Sequence, residues 1–126
     1  MVSTGGSGGV GVLIVDDQAP FRSVARTVVS LVGGWQVVGE ADSAEDALTQ
    51  AASIHPRVVL MDINLPGMSG IEATRRLLND DPDTTVVLLS TYAAEDLPAD
   101  AHQCGAAAYI RKDDLTPAIL RQLRSA

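Results

Sequence analysis

Five side chains are of types that could do chemistry together: Asp16, Asp17, Asp62, Ser90 and Lys112. Each stands at the end of a short apolar run. Asp16 and Asp17 follow residues 10–15, Asp62 follows 57–61, Ser90 follows 85–89, and Lys112 lies just past 106–110. Three carboxylates within about 5 Å of one another would repel by several kcal/mol per pair at intermediate dielectric, so they stay ionised together only beside a cation. An all-oxygen ligand set favours Mg²⁺, or Mn²⁺ in its place. Zinc finds no ligand pattern here, because Cys104 is the lone cysteine and His55 and His102 stand far apart. A metal so held leaves one carboxylate free to attack an electrophile that the same metal binds, and a phosphoryl group suits that arrangement. Asp62 is the better nucleophile because it stands alone, whereas Asp16 and Asp17 form a pair suited to metal. Lys112 offers a positive charge, and Ser90 a hydroxyl, to phosphoryl oxygens.

Taken singly, each of these residues has an ordinary reading. An aspartate after a strand is commonly a helix cap, Ser90 alone would be another cap, and Lys112 alone a surface charge. Their joint appearance at four strand ends of one sheet is what points to a site. Other polar residues keep the ordinary reading. His55 and His102 flank helix ends, Arg75 and Arg76 form a solvated helix face, Cys104 is a small core residue, and Tyr109 is a half-buried strand aromatic.

The elements that must position these groups are legible from periodicity and punctuation. Strands are expected at residues 10–15, 35–39, 57–61, 85–89 and 106–110, each followed by a helix. The run at 57–61 is apolar on both faces, as in a parallel sheet buried on both sides. The first helix starts near Ala19 with Pro20 in its first turn and Phe21, Val24, Ala25, Val28, Leu31 and Val32 at helical spacing; Gly33-Gly34 ends it. Ser43 with Asp46, and Ser69 with Glu72, resemble capping boxes opening the second and third helices. The second buries Ala44, Ala47, Leu48 and Ala51 and stops at His55-Pro56, and the third turns Ile71, Thr74 and Leu78 inward. A fourth helix is expected to start late, limited by Pro98, to keep Leu97, Ala101 and Cys104 in spacing and to close at Gly105. Thr116 caps a fifth, with Pro117 at its first position and Ile119, Leu120 and Leu123 on its apolar face.

This alternation predicts an α/β fold: a doubly wound, five-stranded parallel sheet of (βα)5 type in the flavodoxin-like order 2-1-3-4-5. The switch point then falls between strands one and three, which brings Asp16, Asp17 and Asp62 to one rim. At 126 residues the chain is one domain, expected over 10–126 behind a Gly/Ser/Thr-rich flexible leader at 1–9. Its 46% apolar fraction with 3% aromatic residues implies an aliphatic core. Sixteen acids against nine bases leave a net charge of −7, which disfavours direct nucleic-acid binding. One cysteine excludes an internal disulfide and fits a cytoplasmic location. No apolar stretch approaches the roughly 20 residues that span a bilayer.

The chain resembles a receiver domain of a two-component response regulator. The resemblance rests on Val12-Leu13-Ile14-Val15-Asp16-Asp17, on Val59-Leu60-Met61-Asp62-Ile63-Asn64-Leu65-Pro66-Gly67-Met68-Ser69-Gly70, on Leu88-Leu89-Ser90-Thr91, and on Gly105-Ala106-Ala107-Ala108-Tyr109-Ile110-Arg111-Lys112. It implies that Asp62 accepts a phosphoryl group from a phosphohistidine on a sensor histidine kinase. It implies Mg²⁺ held by Asp17, Asp62 and the backbone carbonyl of Asn64, with Asp16 acting through water. Ser90 and Lys112 would bind phosphoryl oxygens, and Ser90 and Tyr109 would switch the surface of helix four, strand five and helix five. Helix four, poor in apolar anchors and limited by Pro98, is expected to be the element that yields. Asn64, Thr91 and Tyr92 would tune the phosphate lifetime.

The Lys112-Asp113 pair and the turn after Asp62 look like the subgroup whose receivers precede a LuxR-type helix-turn-helix domain. That resemblance implies transcription regulation through a DNA-binding domain outside this chain, and homodimerisation as one route to it. Three other readings stand against this one. They are a phosphate-independent pseudo-receiver acting as an interaction module, a Mg²⁺-dependent phosphatase or phosphotransferase, and a flavodoxin-like nucleotide binder. The second would need a specificity cap; the third, a phosphate-cradling loop where Asp16-Asp17 stands.

Overall fold

A computed structural model describes residues 9–125; residues 1–8 of the expected leader lie outside the described residues. The strands are β1 (Val10–Val15), β2 (Trp35–Ala41), β3 (Val58–Asp62), β4 (Thr85–Ser90) and β5 (Ala108–Arg111), and the helices are α1 (Ala19–Ser30), α2 (Ala44–Ile54), α3 (Gly70–Asp80) and α4 (Pro117–Ser125). All pairings are parallel and the sheet order is β2-β1-β3-β4-β5, as the alternation predicts.

Strand residues of alternating parity feed two cores, because successive side chains of a strand point to opposite faces. Leu13, Val15, Val59, Met61, Val86 and Leu88 pack with Ala44 and Ala47 of α2 and Ile71, Ala73 and Leu77 of α3. Val12, Ile14, Val58, Leu60, Val87 and Leu89 pack on the other face with Ala25, Val28 and Val29 of α1 and Leu120 of α4. With one helix pair on each face, every strand end that carries a polar residue opens on the same rim.

Helix α1 buries a narrower stripe than its spacing suggests: Val24 and Leu31 are 51% and 59% exposed. Ala25 and Val28 are buried as expected, and Val29 joins them, since a helix against a single sheet face buries only about 100° of its surface. Leu78 is likewise only partly buried. Helix α2 ends as expected at His55, which takes a left-handed conformation (φ 48°) before Pro56.

The N-caps form by half. Ser43 and Ser69 accept hydrogen bonds from the backbone N–H groups of Asp46 and Glu72, but the Glu72 carboxylate turns to Arg76 and Arg75. Those two guanidinium groups hold its carboxyl below the usual range. Ser69→Ala is therefore expected to lower stability by about 1 kcal/mol, the usual effect of losing one cap, as read from denaturant midpoints.

The expected fourth helix is not an α-helix. Two 3₁₀ turns, Ala94–Asp96 and Ala99–His102, occupy the segment. Pro98 between them is extended (ψ 148°) and has no N–H to continue a helical ladder. Ala101 and Cys104 still reach the core, and Leu97 packs against it, so the apolar spacing served burial without a continuous helix. Strand β5 begins at Ala108, two residues later than expected. Among the described residues, no helix is long and apolar enough to cross a membrane.

Candidate functional site

The rim is built by the register of the sheet. β1 and β3 pair from Val12↔Val58 to Val15↔Met61, so Asp16 and Asp62 emerge side by side. β3 and β4 pair Asp62 with Leu89, which puts Ser90 one residue further out, and β4 pairs Ser90 with Arg111, which puts Lys112 beyond that. Buried apolar strands thus end in polar groups that cannot retreat. Asp16 and Ser90 are 0% exposed and Asp62 is 2% exposed, whereas Asp17 is exposed.

Lys112 closes the site. Its Nζ is 2.6 Å from Asp16 Oδ2 and 3.5 Å from Asp62 Oδ2. Asp16 Oδ1 accepts from the backbone N–H of Gln18 at 2.8 Å, and Asp62 Oδ1 from that of Asn64 at 3.2 Å. The Asp16 Oδ2 contact with Lys112 is an ion pair without hydrogen-bond alignment, so this buried oxygen retains lone-pair capacity. One ammonium for two buried carboxylates is insufficient. Desolvation, together with the charge of Asp16, raises the Asp62 pKa from 3.8 to about 6 against the opposing pull of Lys112.

A divalent cation fits this donor set. Asp16, Asp17 and Asp62 each offer an oxygen, and the three lie within 4.8 Å of one another, near the ~4.2 Å that separates opposite oxygens around Mg²⁺. The deficit of positive charge at Asp62 and the free lone pair of Asp16 Oδ2 point to the same kind of ion.

The remaining expected residues fall on the β4 side. Ser90 and Asn64 line a cleft of about 500 Å³ with Ile63, Tyr92, Asp96, Leu97 and Pro98. Ser90 Oγ accepts from the Tyr92 backbone N–H at 3.0 Å. Thr91 is exposed beside it, and Tyr92 is 57% exposed. The Tyr109 hydroxyl donates to the Tyr92 carbonyl, tying β5 to the loop after β4. His55 and His102 lie outside the rim, and Cys104 is buried, its thiol directed to the Ala101 carbonyl.

Two residues that position the site carried no separate signal. Arg22, in the first turn of α1, donates to the Asp16 carbonyl at 2.7 Å and approaches Glu40 at 3.5 Å, pinning the acidic loop between α1 and β2. A basic residue six positions after Asp16 is the trace it leaves in the sequence. Gly70 starts α3 so close to Asp62 that a Cβ there would lie 2.0 Å from the Asp62 carbonyl oxygen.

The sequence model of the response regulator receiver domain matches residues 12–124. Response regulator GacA of Pseudomonas viridiflava is 43% identical over 101 residues, covering 80% of this chain and 47% of that protein. Response regulator UvrY of Escherichia coli K12 is 35% identical over 116 residues, covering 92% and 53%. The chain thus spans about half the length of these curated relatives. A LuxR-family two-component response regulator from Aurantimonas sp. superposes with a TM-score of 0.83 at 30% identity, over 93% of this chain and 83% of that one. The response regulator domain of CheB from Thermotoga maritima does so at 0.81 and 29%, over 94% and 96%. A match that begins inside β1 and ends in the last helix takes in all or most of every strand and every α-helix, and the chain belongs to the family of response regulator receiver domains.

Proposed function

We propose that Asp62 accepts a phosphoryl group from the phosphohistidine of a sensor histidine kinase, and that the change it causes is read on the surface formed by the 3₁₀ turns, β5 and α4. The observation that carries this reading is the approach of one ammonium to two buried carboxylates, with a third carboxylate alongside. Asp17, Asp62 and the Asn64 carbonyl would hold Mg²⁺, with Asp16 acting through water. When bound, the ion neutralises the carboxylates and holds phosphoryl oxygens near Asp62.

An Asp62 carboxylate oxygen attacks phosphorus, forming an O–P bond as the N–P bond of phosphohistidine breaks. The departing imidazole keeps the electron pair and takes a proton from solvent. Lys112 and the Ser90 hydroxyl bind the phosphoryl oxygens, which bring roughly −1.5 to −2 charges to the rim. Asn64, Thr91 and Tyr92 border the approach of hydrolytic water and set the lifetime of the acyl phosphate. The domain promotes only its own phosphorylation and dephosphorylation.

Drawing Ser90 toward the phosphoryl group shifts the Tyr92 backbone bonded to it, and with it the acceptor of the Tyr109 hydroxyl. The 3₁₀ segment yields first, because short 3₁₀ turns have few stabilising bonds to lose. The output is transcription regulation through a DNA-binding domain outside this chain, as the LuxR-family likeness suggests, with homodimerisation as the link. This domain itself, at net charge −7, does not bind nucleic acid.

Incubation with acetyl phosphate and Mg²⁺ is expected to add the mass of one phosphoryl group, lost on alkaline treatment and absent when the metal is chelated. Lys112→Ala keeps much of this labelling at completion but reaches it more slowly, and it loses the amide-exchange change in residues 91–104. Full propagation by that variant contradicts the proposed role of Lys112. A wild-type protein that takes no phosphoryl group but still binds its partner supports the pseudo-receiver reading.

A further inference from the structure

Lys112 is the chain's only lysine and Phe21 its only phenylalanine, and the fold brings the two together. Phe21 stands in the first turn of α1, four residues after Asp17, and Lys112 follows β5. The Lys112 ammonium lies 4.6 Å from the centroid of the Phe21 ring, inside the ~6 Å range over which a ring face attracts a cation. The same ammonium is the one that contacts Asp16 and Asp62, and its side chain is 11% exposed. Phe21 packs against the α1 and α4 core, so the ring is anchored independently of the acidic loop.

The two carboxylates alone do not fix this lysine. A cation that binds them competes with the ammonium for their oxygens, and a long flexible tail released from both would turn toward solvent. The ring offers a contact for which such a cation does not compete. We propose that Phe21 is a positioning residue for Lys112: its ring face keeps the ammonium at the sheet rim when the carboxylates release it. A leucine in its place would cover the lysine methylenes equally well but would not attract the charge. The contact stands on geometry alone; its consequence for phosphoryl transfer rests on the function proposed above.

With one lysine in the chain, ¹³C-labelled lysine yields a single set of ε-methylene resonances. These are expected upfield of free lysine in the metal-free protein, with a nuclear Overhauser contact to the Phe21 ring that persists at saturating Mg²⁺. An ε-methylene at the free-lysine position, or a ring contact that Mg²⁺ abolishes, overturns the proposal. With one phenylalanine, biosynthetic replacement by progressively fluorinated analogues weakens the ring's negative face at this site alone and nearly preserves its shape. The rate of labelling by acetyl phosphate at saturating Mg²⁺ should fall along that series, by about 2- to 30-fold at its end and in Phe21→Leu, while Phe21→Tyr stays within about twofold. Equal melting temperatures along the series separate this effect from loss of fold. A rate indifferent to fluorination removes the positioning role. If the wild-type protein takes no phosphoryl group, the function proposed above fails, and the lysine resonance still decides the placement of Lys112.

Discussion

Asp62→Asn is expected to raise the melting temperature of the metal-free protein at neutral pH, although it removes the proposed phosphoryl acceptor. The reason is the buried charge. Asp62 is 2% exposed, and burial, with Asp16 beside it, lifts its pKa from 3.8 to about 6. Because the folded value lies above the unfolded one, the folded state binds more protons between them. The associated stability is fully present below about pH 4 and is lost as pH rises through about 6. A shift of about two units corresponds to about 3 kcal/mol at most, and the neutral asparagine should recover about 1–3 kcal/mol of it, or roughly 5 °C or more in melting temperature. The advantage of Asp62→Asn should vanish at pH 4 and shrink when Mg²⁺ is added to the wild-type protein. Thermal melts at pH 4 and pH 7, with and without Mg²⁺, check this. A variant less stable than wild type at pH 7 without metal contradicts the account of the rim as a charge-deficient site.

The second large effect comes from a residue with no side chain. Gly70→Ala is expected to lower stability by about 3 kcal/mol or more, at the upper end of overpacking substitutions. A Cβ at this position would meet the Asp62 carbonyl oxygen at 2.0 Å, the Asp62 carbonyl carbon at 2.9 Å and Ile63 Cα at 3.0 Å. All three are backbone atoms, which cannot rotate away, and Gly70 itself donates to the Ile63 carbonyl at 3.0 Å. Relief therefore requires α3 to move off β3 or the Asp62 backbone to shift, and either disturbs the seating of Asp62. Denaturant unfolding measures the loss, and Mg²⁺ affinity, by titration at a temperature where the variant is folded, measures the displacement. A Gly70→Ala protein with unchanged stability and unchanged Mg²⁺ affinity would show that the helix does not bear on Asp62.

The sheet and the rim were legible for a common reason. Parallel strands buried on both faces read as unbroken apolar runs, so a single carboxylate such as Asp62 marks where the apolar run stops, and fold rules then align those endpoints. The caps at Ser43 and Ser69 were legible because a hydroxyl three residues before a backbone N–H is a local pattern. The segment from Leu97 to Cys104 reads as a helix in sequence because Leu97, Ala101 and Cys104 do face the core; the apolar spacing reports burial, whereas Pro98 decides the hydrogen-bond ladder. The exposure of Val24 and Leu31 was hidden because composition does not show where the sheet face ends. Arg22 and Gly70 were hidden for a different reason. Each acts on backbone atoms of a residue distant along the chain or across a turn, a contact that exists only after folding.

Whether Asp62 is the phosphoacceptor is decided by locating the group. Protein treated with acetyl phosphate and Mg²⁺ is reduced with borohydride, which converts an aspartyl phosphate to homoserine, and is then digested and sequenced by mass spectrometry. Homoserine is expected at position 62, with aspartate retained at positions 16 and 17. Homoserine at another position, or none with the phosphoryl mass present, contradicts it.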